Sequence, residues 1–297
     1  MVPGEPGPSW NPIIDLQLLW SFPFMVNAFR AGTIVAVLAG LIGWFMVLRR
    51  QSFAGHTVAV AGFPGAAGAT LLGVAPVFGY FGFCLAAAAV IAALPRGRDA
   101  GYREESAVTG TVNAFALACG YLFIALYKGF LGGVNALLFG NFLGITDDDV
   151  LALLAVAVVA LAVLAAVGRP LLFASVDPDV AAARGVPVRA LSVVFLMLLG
   201  AAVAEASQIT GTLLVFALLV MPAATAQRLT ARPVASLALT VLIGIVATWL
   251  GLGIAYFSPY PIGFCVTTVA FAGYLLAHAA RAGRFGLPRP RLAGGAT

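Results

Sequence analysis

The sequence predicts an all-α polytopic membrane protein with about nine transmembrane helices, one short re-entrant helix and one short cytoplasmic helix, its N-terminus outside and its C-terminus inside. Three observations predict this. Hydrophobic residues make up 62% of the chain and charged residues 9%, whereas a soluble globular domain is about a quarter charged. Apolar runs of about 20 residues, the length that crosses a hydrocarbon core, recur along nearly the whole chain, and mean hydropathy is +1.05. The arginines stand between these runs in clusters. The short alternating segments of a β-barrel do not occur in the sequence.

The opening MVPGEPGPSWNP is rich in Pro and Gly and lacks a basic stretch leading into an apolar one. Residues 1–22 therefore read as a short extracytoplasmic segment rather than a cleavable leader. Residues 23–281 read as one transmembrane domain. The first span runs from Phe24 to Leu48 and the second from Gly55 to Val74. The third covers Val77 to Leu94, the fourth Ala107 to Tyr127, and the fifth Val150 to Val167. After a polar interruption over 169–190 come Leu191 to Ala204, Ile209 to Ala226, Val234 to Phe257 and Ile262 to Ala279. The run ALLFGNFLGI, from Ala136 to Ile145, is too brief to cross and reads as a re-entrant or interfacial helix. Residues 282–297 are a cytoplasmic tail. The second span, rich in Gly and Ala, decides between nine spans and eight.

Arginine placement sets the orientation. Arg49 and Arg50 follow span one; Arg96, Arg98 and Arg103 follow span three; Arg169, Arg184 and Arg189 follow span five. Arg228 and Arg232 follow span seven, and Arg281, Arg284, Arg289 and Arg291 follow span nine. Every cluster follows an odd-numbered span, so all can be cytoplasmic together. The formal charge of +5 is thus loop bias and not a nucleic-acid footprint. Cys84, Cys119 and Cys265 lie far apart in apolar stretches and read as small buried hydrophobes.

Among function classes, a polytopic chain of this size reads as a transporter, with receptors, structural proteins and intramembrane enzymes as the other classes. A GxSx segment inside an apolar run with a downstream membrane histidine, which an intramembrane protease would need, does not occur: GPSW, from Gly7 to Trp10, lies outside the apolar runs, so His278 has no such partner before it. No GxxxxGK[ST] phosphate loop is present either, since Lys128 is followed by Gly129 and Phe130. Any ATP-driven function would place the nucleotide on another subunit.

The most informative loop is RPLLFASVDPDVAAARGVPVRAL, from Arg169 to Leu191. Asp177 can cap a helix, and Pro178 suits its first turn. Asp179 and Arg184 complement the helix dipole, Gly185 can end the helix left-handed, and Pro187 blocks continuation. The spacing predicts a helix of about two turns, too short to persist alone in water. Either it rests on its own protein or it inserts into a cytoplasmic partner.

Four blocks, RRQSF…FPGAAGA, LLFGNFLGIT, FASVDPDVAAARGV and GTLLVFALLVMPAATAQRL, occur in this order. Together they make the chain, over roughly Asn27 to Ala279, resemble the membrane-spanning permease subunits of ABC importers for divalent metals such as zinc and manganese. The resemblance implies that Asp177, Pro178, Arg184 and Gly185 belong to a coupling helix that fits a groove of the ATPase subunit. It implies that the segment holding Pro222 is a core helix near the pathway; the small-faced, bent helix holding Gly62, Pro64, Gly65 and Gly68 reads either as a pathway wall or as a tightly packed structural helix. The resemblance also implies a second copy of the chain, two cytoplasmic ATPase subunits, an extracytoplasmic metal-binding protein, and a multi-pass location in the cell membrane among lipid. No permanently bound cofactor and no nucleic acid are implied; the metal, zinc or manganese, is cargo, and this chain performs no chemistry. Two other readings are an ABC permease for a metal chelate or corrinoid, and an ATP-independent secondary transporter.

The resemblance sharpens the reading of His56. Metal permeases commonly carry an Asp and a His eight and four residues before a Pro-Gly pair; counting back from Pro64, those positions here hold His56 and Val60. His56 reads either as a hydrogen-bonded structural residue or as a pathway ligand, since neutral imidazole suits zinc and accepts manganese. Glu205, near the outer end of span six, is a second candidate metal ligand or a solvated residue. Asp147, Asp148 and Asp149 read as a solvated helix cap, and His278 as a residue beside Arg281. Asn27, Asn113 and Asn141 are polar groups that could line a pathway. Gly62, Gly65 and Gly68 permit close helix contact, and Pro64 a bend.

Overall fold

A computed structural model of the chain describes residues 12–93, 102–127 and 144–285. Within them it is helical. In order come α1 (Pro12–Ser21), α2 (Pro23–Leu48), α3 (Ser52–Leu71), α4 (Pro76–Ala93), α5 (Tyr102–Leu126), α6 (Asp147–Val176), α7 (Pro178–Ala183), α8 (Val188–Leu229), α9 (Pro233–Tyr256) and α10 (Ile262–Phe285). The short run 136–143, with Asn141, lies outside the described residues, as do Arg96, Arg98, Lys128, Arg289 and Arg291.

Local chemistry explains where the helices begin. Pro23 opens α2 and Pro233 opens α9, each at a first-turn position where a missing N–H costs nothing. At α6 the Thr146 hydroxyl accepts from the Asp149 N–H while the Asp149 carboxylate accepts from the Thr146 N–H, a reciprocal capping box. The acidic triplet is therefore a helix start, as its position suggested, and Asp147 also faces Arg30 at 3.7 Å in an exposed ion pair.

Among the described residues, eight segments are long and apolar enough to cross a membrane, with α8 supplying two of them, Val188–Gln208 (α8a) and Thr210–Leu229 (α8b). The ninth long helix, α3, is not one of the eight, yet it is among the most enclosed. It packs against α4, α5 and α8, and α8 in turn touches α2, α3, α4, α6, α9 and α10. Burial here follows small residues rather than hydropathy. A Cβ on Gly65 would collide with the Gly79 carbonyl of α4, and one on Gly79 with the Gly65 carbonyl, so the two backbones touch. Gly43 of α2 lies against the Leu219 backbone of α8b in the same way. By contrast α5 and α6 present Phe115, Tyr121, Val158 and Val159 outward, the exterior that a hydrocarbon solvent calls for.

Polar contacts collect at one end of the bundle. Arg49, after α2, reaches Ser175 near the end of α6 and Ser192 near the start of α8. Trp44 Nε1 donates to Ser236 at the start of α9, Gln227 near the end of α8 donates to the Trp44 carbonyl, and Arg281 of α10 donates to the Arg228 carbonyl. Both ends of α8 thus lie at this basic end, so its 42 residues must turn back on themselves. The turn is at Gly211, with φ 76° and ψ 157°, a conformation open to glycine and strained for other residues. Asn27, whose amide donates to the Ile145 carbonyl at 3.2 Å, and the Arg30–Asp147 pair mark the opposite end.

Candidate functional site: a half-open face and a capped helix

His56 sits on the second turn of α3. From Ala54 to Ala69 every residue of α3 is buried except His56 and Val60. Four residues apart, the two share one face, and that face is the half-open strip of an otherwise enclosed helix. The His56 ring meets the edge of Phe216 of α8b, with ring centroids 4.7 Å apart. Its Nδ1 is buried without a hydrogen-bond partner. Phe216 and Val220 are likewise half-buried, one turn apart on α8b.

Two prolines interrupt the hydrogen bonding of these two helices. Pro64 stands inside α3 and Pro222 inside α8b, and both helices continue through them. Having no N–H, each leaves the carbonyl four residues earlier without its helical donor: Val60 for Pro64 and Leu218 for Pro222. Val60 brings no ligating side chain, but its carbonyl oxygen is available. The three glycines fall elsewhere. Gly62 faces Tyr80 and Cys84 of α4 and Thr212 of α8b, Gly65 faces Gly79, and Gly68 faces Phe123 of α5. They are helix contacts, while the open strip of α3 is the histidine face.

Glu205 is not beside His56. It lies in the last turn of α8a, beside the turn at Gly211, 6% exposed, accepting from Gln208 Nε2 at 3.0 Å. It is enclosed rather than solvated at a rim. Around it α8 carries buried Ser207, Thr210 and Thr212, and the Ser207 hydroxyl has no partner. His278 is exposed near Tyr274, and the Asn113 side-chain oxygen is buried without a partner. Among the described residues no group of three or more His, Cys, Asp or Glu side chains converges. Cys84 and Cys265 are free and buried, and the Cys84 thiol donates to the Val58 carbonyl.

The short helix α7 forms as its end signals require. Asp177 Oδ1 accepts from the Val180 N–H at 3.0 Å, with Pro178 in the first turn. Gly185, at φ 80°, ends it: the Gly185 N–H donates to the Ala182 carbonyl and the Val186 N–H to the Ala181 carbonyl. Ala181 is buried against the bundle, whereas Asp177, Pro178, Asp179, Val180, Arg184 and Gly185 are exposed. A capped helix with an outward apolar Val180 stands at the basic end.

A family model for the ABC 3 transport family matches residues 21–281. The chain belongs to the ABC 3 transport family. As a member it is a multi-pass protein of the cell membrane and the permease, or transport, subunit of an ABC transporter. The manganese import system permease protein ScaB of Streptococcus parasanguinis is 31% identical over 258 residues, 87% of this chain and 91% of that one. The manganese transport system membrane protein MntC of Halalkalibacterium halodurans is 30% identical over 264 residues, 88% of each. Among solved structures, PsaBC from Streptococcus pneumoniae in complex with Fab matches with a TM-score of 0.78 at 28% identity, over 89% of this chain and 94% of that one.

Sequence reasoning had no means of finding two features of this ABC 3 permease. Phe216 is one residue among 21 phenylalanines, and nothing in its neighbourhood marks it. The contacts of Arg49 join residues 126 and 143 positions away, a separation that no local pattern encodes.

Proposed function

We propose that this ABC 3 permease imports a divalent metal ion, manganese in the first instance and zinc as the other candidate. It acts as a pair of copies around one pathway, with ATP hydrolysed on separate cytoplasmic subunits and metal delivered by an extracytoplasmic binding protein. Nine spans, with α3 as the second, put the N-terminus outside, residues 23–281 in the membrane and the tail 282–297 in the cytoplasm. In this arrangement α7, through Asp177, Pro178, Arg184 and Gly185, is the coupling helix.

The observation that carries the metal reading is the half-open His56–Val60 strip on an otherwise enclosed helix, in a chain about 30% identical to manganese permeases over nearly its full length. A strip left open in one copy is what a second copy would close into a pathway. One neutral imidazole on a strip whose other member, Val60, brings no ligating side chain makes a weak site. Weak binding suits a site that must release its ion. Glu205, with its buried neighbours at the turn of α8, supplies a negative group nearer the outer end.

The test is an elemental panel on metal-starved cells with the gene deleted, restored, or restored as His56→Ala. A selective loss of manganese or zinc on deletion, rescued by the intact gene and not by His56→Ala, supports the reading. Unchanged divalent metals across all strains would overturn metal import and leave an organic chelate as the cargo to be sought.

A further inference from the structure

The helix proposed to meet the ATPase and the helix that bears His56 do not pack on each other. Helix α7 touches α6 and α8, while α3 lies among α4, α5 and α8. Some connection must carry movement between them if the transport reading above is right, since this inference rests on that reading. We infer that Arg49 is that connection: a positioning residue that clasps both roots of α7 to the turn from which α3 starts.

The geometry is specific. Arg49 is the residue that ends α2. One terminal nitrogen donates to Ser175 Oγ at 3.1 Å, and Ser175 lies two residues before the Asp177 cap of α7. The other donates to Ser192 Oγ, five residues after the Pro187 that precedes α8. Nε donates to Gln51 Oε1 at 3.2 Å, and Gln51 is the buried residue immediately before α3. The guanidinium also stands 5.4 Å from the ring centroid of Phe195, which is fully buried. One planar group thus holds the incoming strand of α7, the outgoing one and the entry to α3 at once.

Only a rigid fork can do this. A guanidinium presents its donors in one plane and stacks on an aromatic face, whereas an ammonium is a single hydrated point charge on a flexible stem. Displacement of α7 pulls on Ser175 and Ser192. Through Arg49 it reaches Gln51, and the first turn of α3 moves with it. His56 is five residues further along, so the ligand face turns against Phe216. Loss of the fork leaves α7 and its cap intact and removes the transmission.

The test uses the complex of the full chain with the ATPase subunit that copurifies with it, reconstituted in proteoliposomes and supplied on the extracytoplasmic face with its binding protein loaded with radiolabelled Mn²⁺ as probe. Mn²⁺ taken up per ATP hydrolysed is compared for wild type, Arg49→Ala, Arg49→Lys, the double variant Ser175→Ala/Ser192→Ala, and Arg232→Ala as a basic-end control. The expected result is about a tenfold fall in Mn²⁺ per ATP for both Arg49 variants and for the serine pair, an ordinary size for coupling between sites. ATPase association and thermal unfolding should stay at wild-type levels, and Arg232→Ala should behave as wild type. The lysine variant decides the chemistry, because it keeps the charge and loses the fork.

Mn²⁺ per ATP within twofold of wild type in Arg49→Ala overturns the inference. So does a fall in uptake that merely tracks lost ATPase subunit or a lowered unfolding temperature, which would make Arg49 a structural pin. A wild-type complex with no ATP-driven uptake of Mn²⁺ or Zn²⁺ overturns the transport reading itself, and this inference with it.

Discussion

Single residues decide whether this chain can turn and, on the proposed function, whether it passes an ion. Gly211 reverses α8 at φ 76° and ψ 157°, where a side chain costs about 1–3 kcal/mol. Gly211→Ala should therefore lower the unfolding temperature in detergent, followed by tryptophan fluorescence. Gly253→Ala on α9, where an added Cβ meets nothing within 4 Å, should leave it unchanged or slightly raised. Equal behaviour of the two would mean that the turn at Gly211 is not held. At the ligand strip, His56→Ala should reduce metal uptake by at least about tenfold, the scale on which even supporting groups of metal sites act. The double change His56→Asp/Val60→His restores the residue pair common in metal permeases, on the same half-open face. It should retain uptake, measured with radiolabelled Mn²⁺ in whole cells. A double variant as inactive as His56→Ala would show that an Asp–His pair cannot replace His56 on this strip, and full uptake by His56→Ala would show that the strip is not where the ion passes.

Helices whose ends carry their own chemistry are the elements that can be read from sequence. The Asp177-Pro178 start and the Gly185-Pro187 stop confine α7 to its short length, and Thr146 with Asp149 fixes the start of α6. These signals act within four residues, so no tertiary information is needed. Asp177→Ala should remove about 1 kcal/mol of helix stability, and Asp177→Ser should keep most of it. If α7 must be helical to dock, the alanine variant should copurify with roughly fivefold less ATPase subunit, while the serine variant should match wild type. Equal recovery in all three would separate the cap from docking. Helix α3 shows the opposite case. Its Gly, Ala, Thr and His content makes it the weakest span by hydropathy, yet its small residues let α4, α5 and α8 close around it. Which strip of such a helix stays open is set by neighbours that lie far along the chain, so His56 could be named from sequence but not its Phe216 partner.

On the scale of the whole molecule, the contacts at the basic end constrain how often the chain crosses. Arg49 closes α2, and its partner Ser175 closes α6, so an even number of crossings separates them. Helices α3, α4, α5 and α6 supply four if α3 crosses, and three if it does not. Thr57 near the start of α3 donates to the Thr109 carbonyl near the start of α5, and Gly68 near its end meets Phe123 near the end of α5. Helix α3 therefore runs the length of its neighbours, and its crossing keeps Arg49 and Ser175 at one end without help from the run 128–143. The positive-inside rule then assigns the arginine-rich end to the cytoplasm. Single cysteines test this orientation, on a background with Cys84, Cys119 and Cys265 replaced. Asp148→Cys, exposed beside the α6 cap, should react with a membrane-impermeant maleimide in intact cells. Ala182→Cys, exposed on α7, should react only after the membrane is opened. Reversed labelling would invert the molecule, and labelling of both from outside would mean that α6 does not cross or that α7 lies in a pathway open to the exterior. The expected pattern leaves the capped helix, the clasp on Arg49 and the entry to α3 on the side where ATP is hydrolysed.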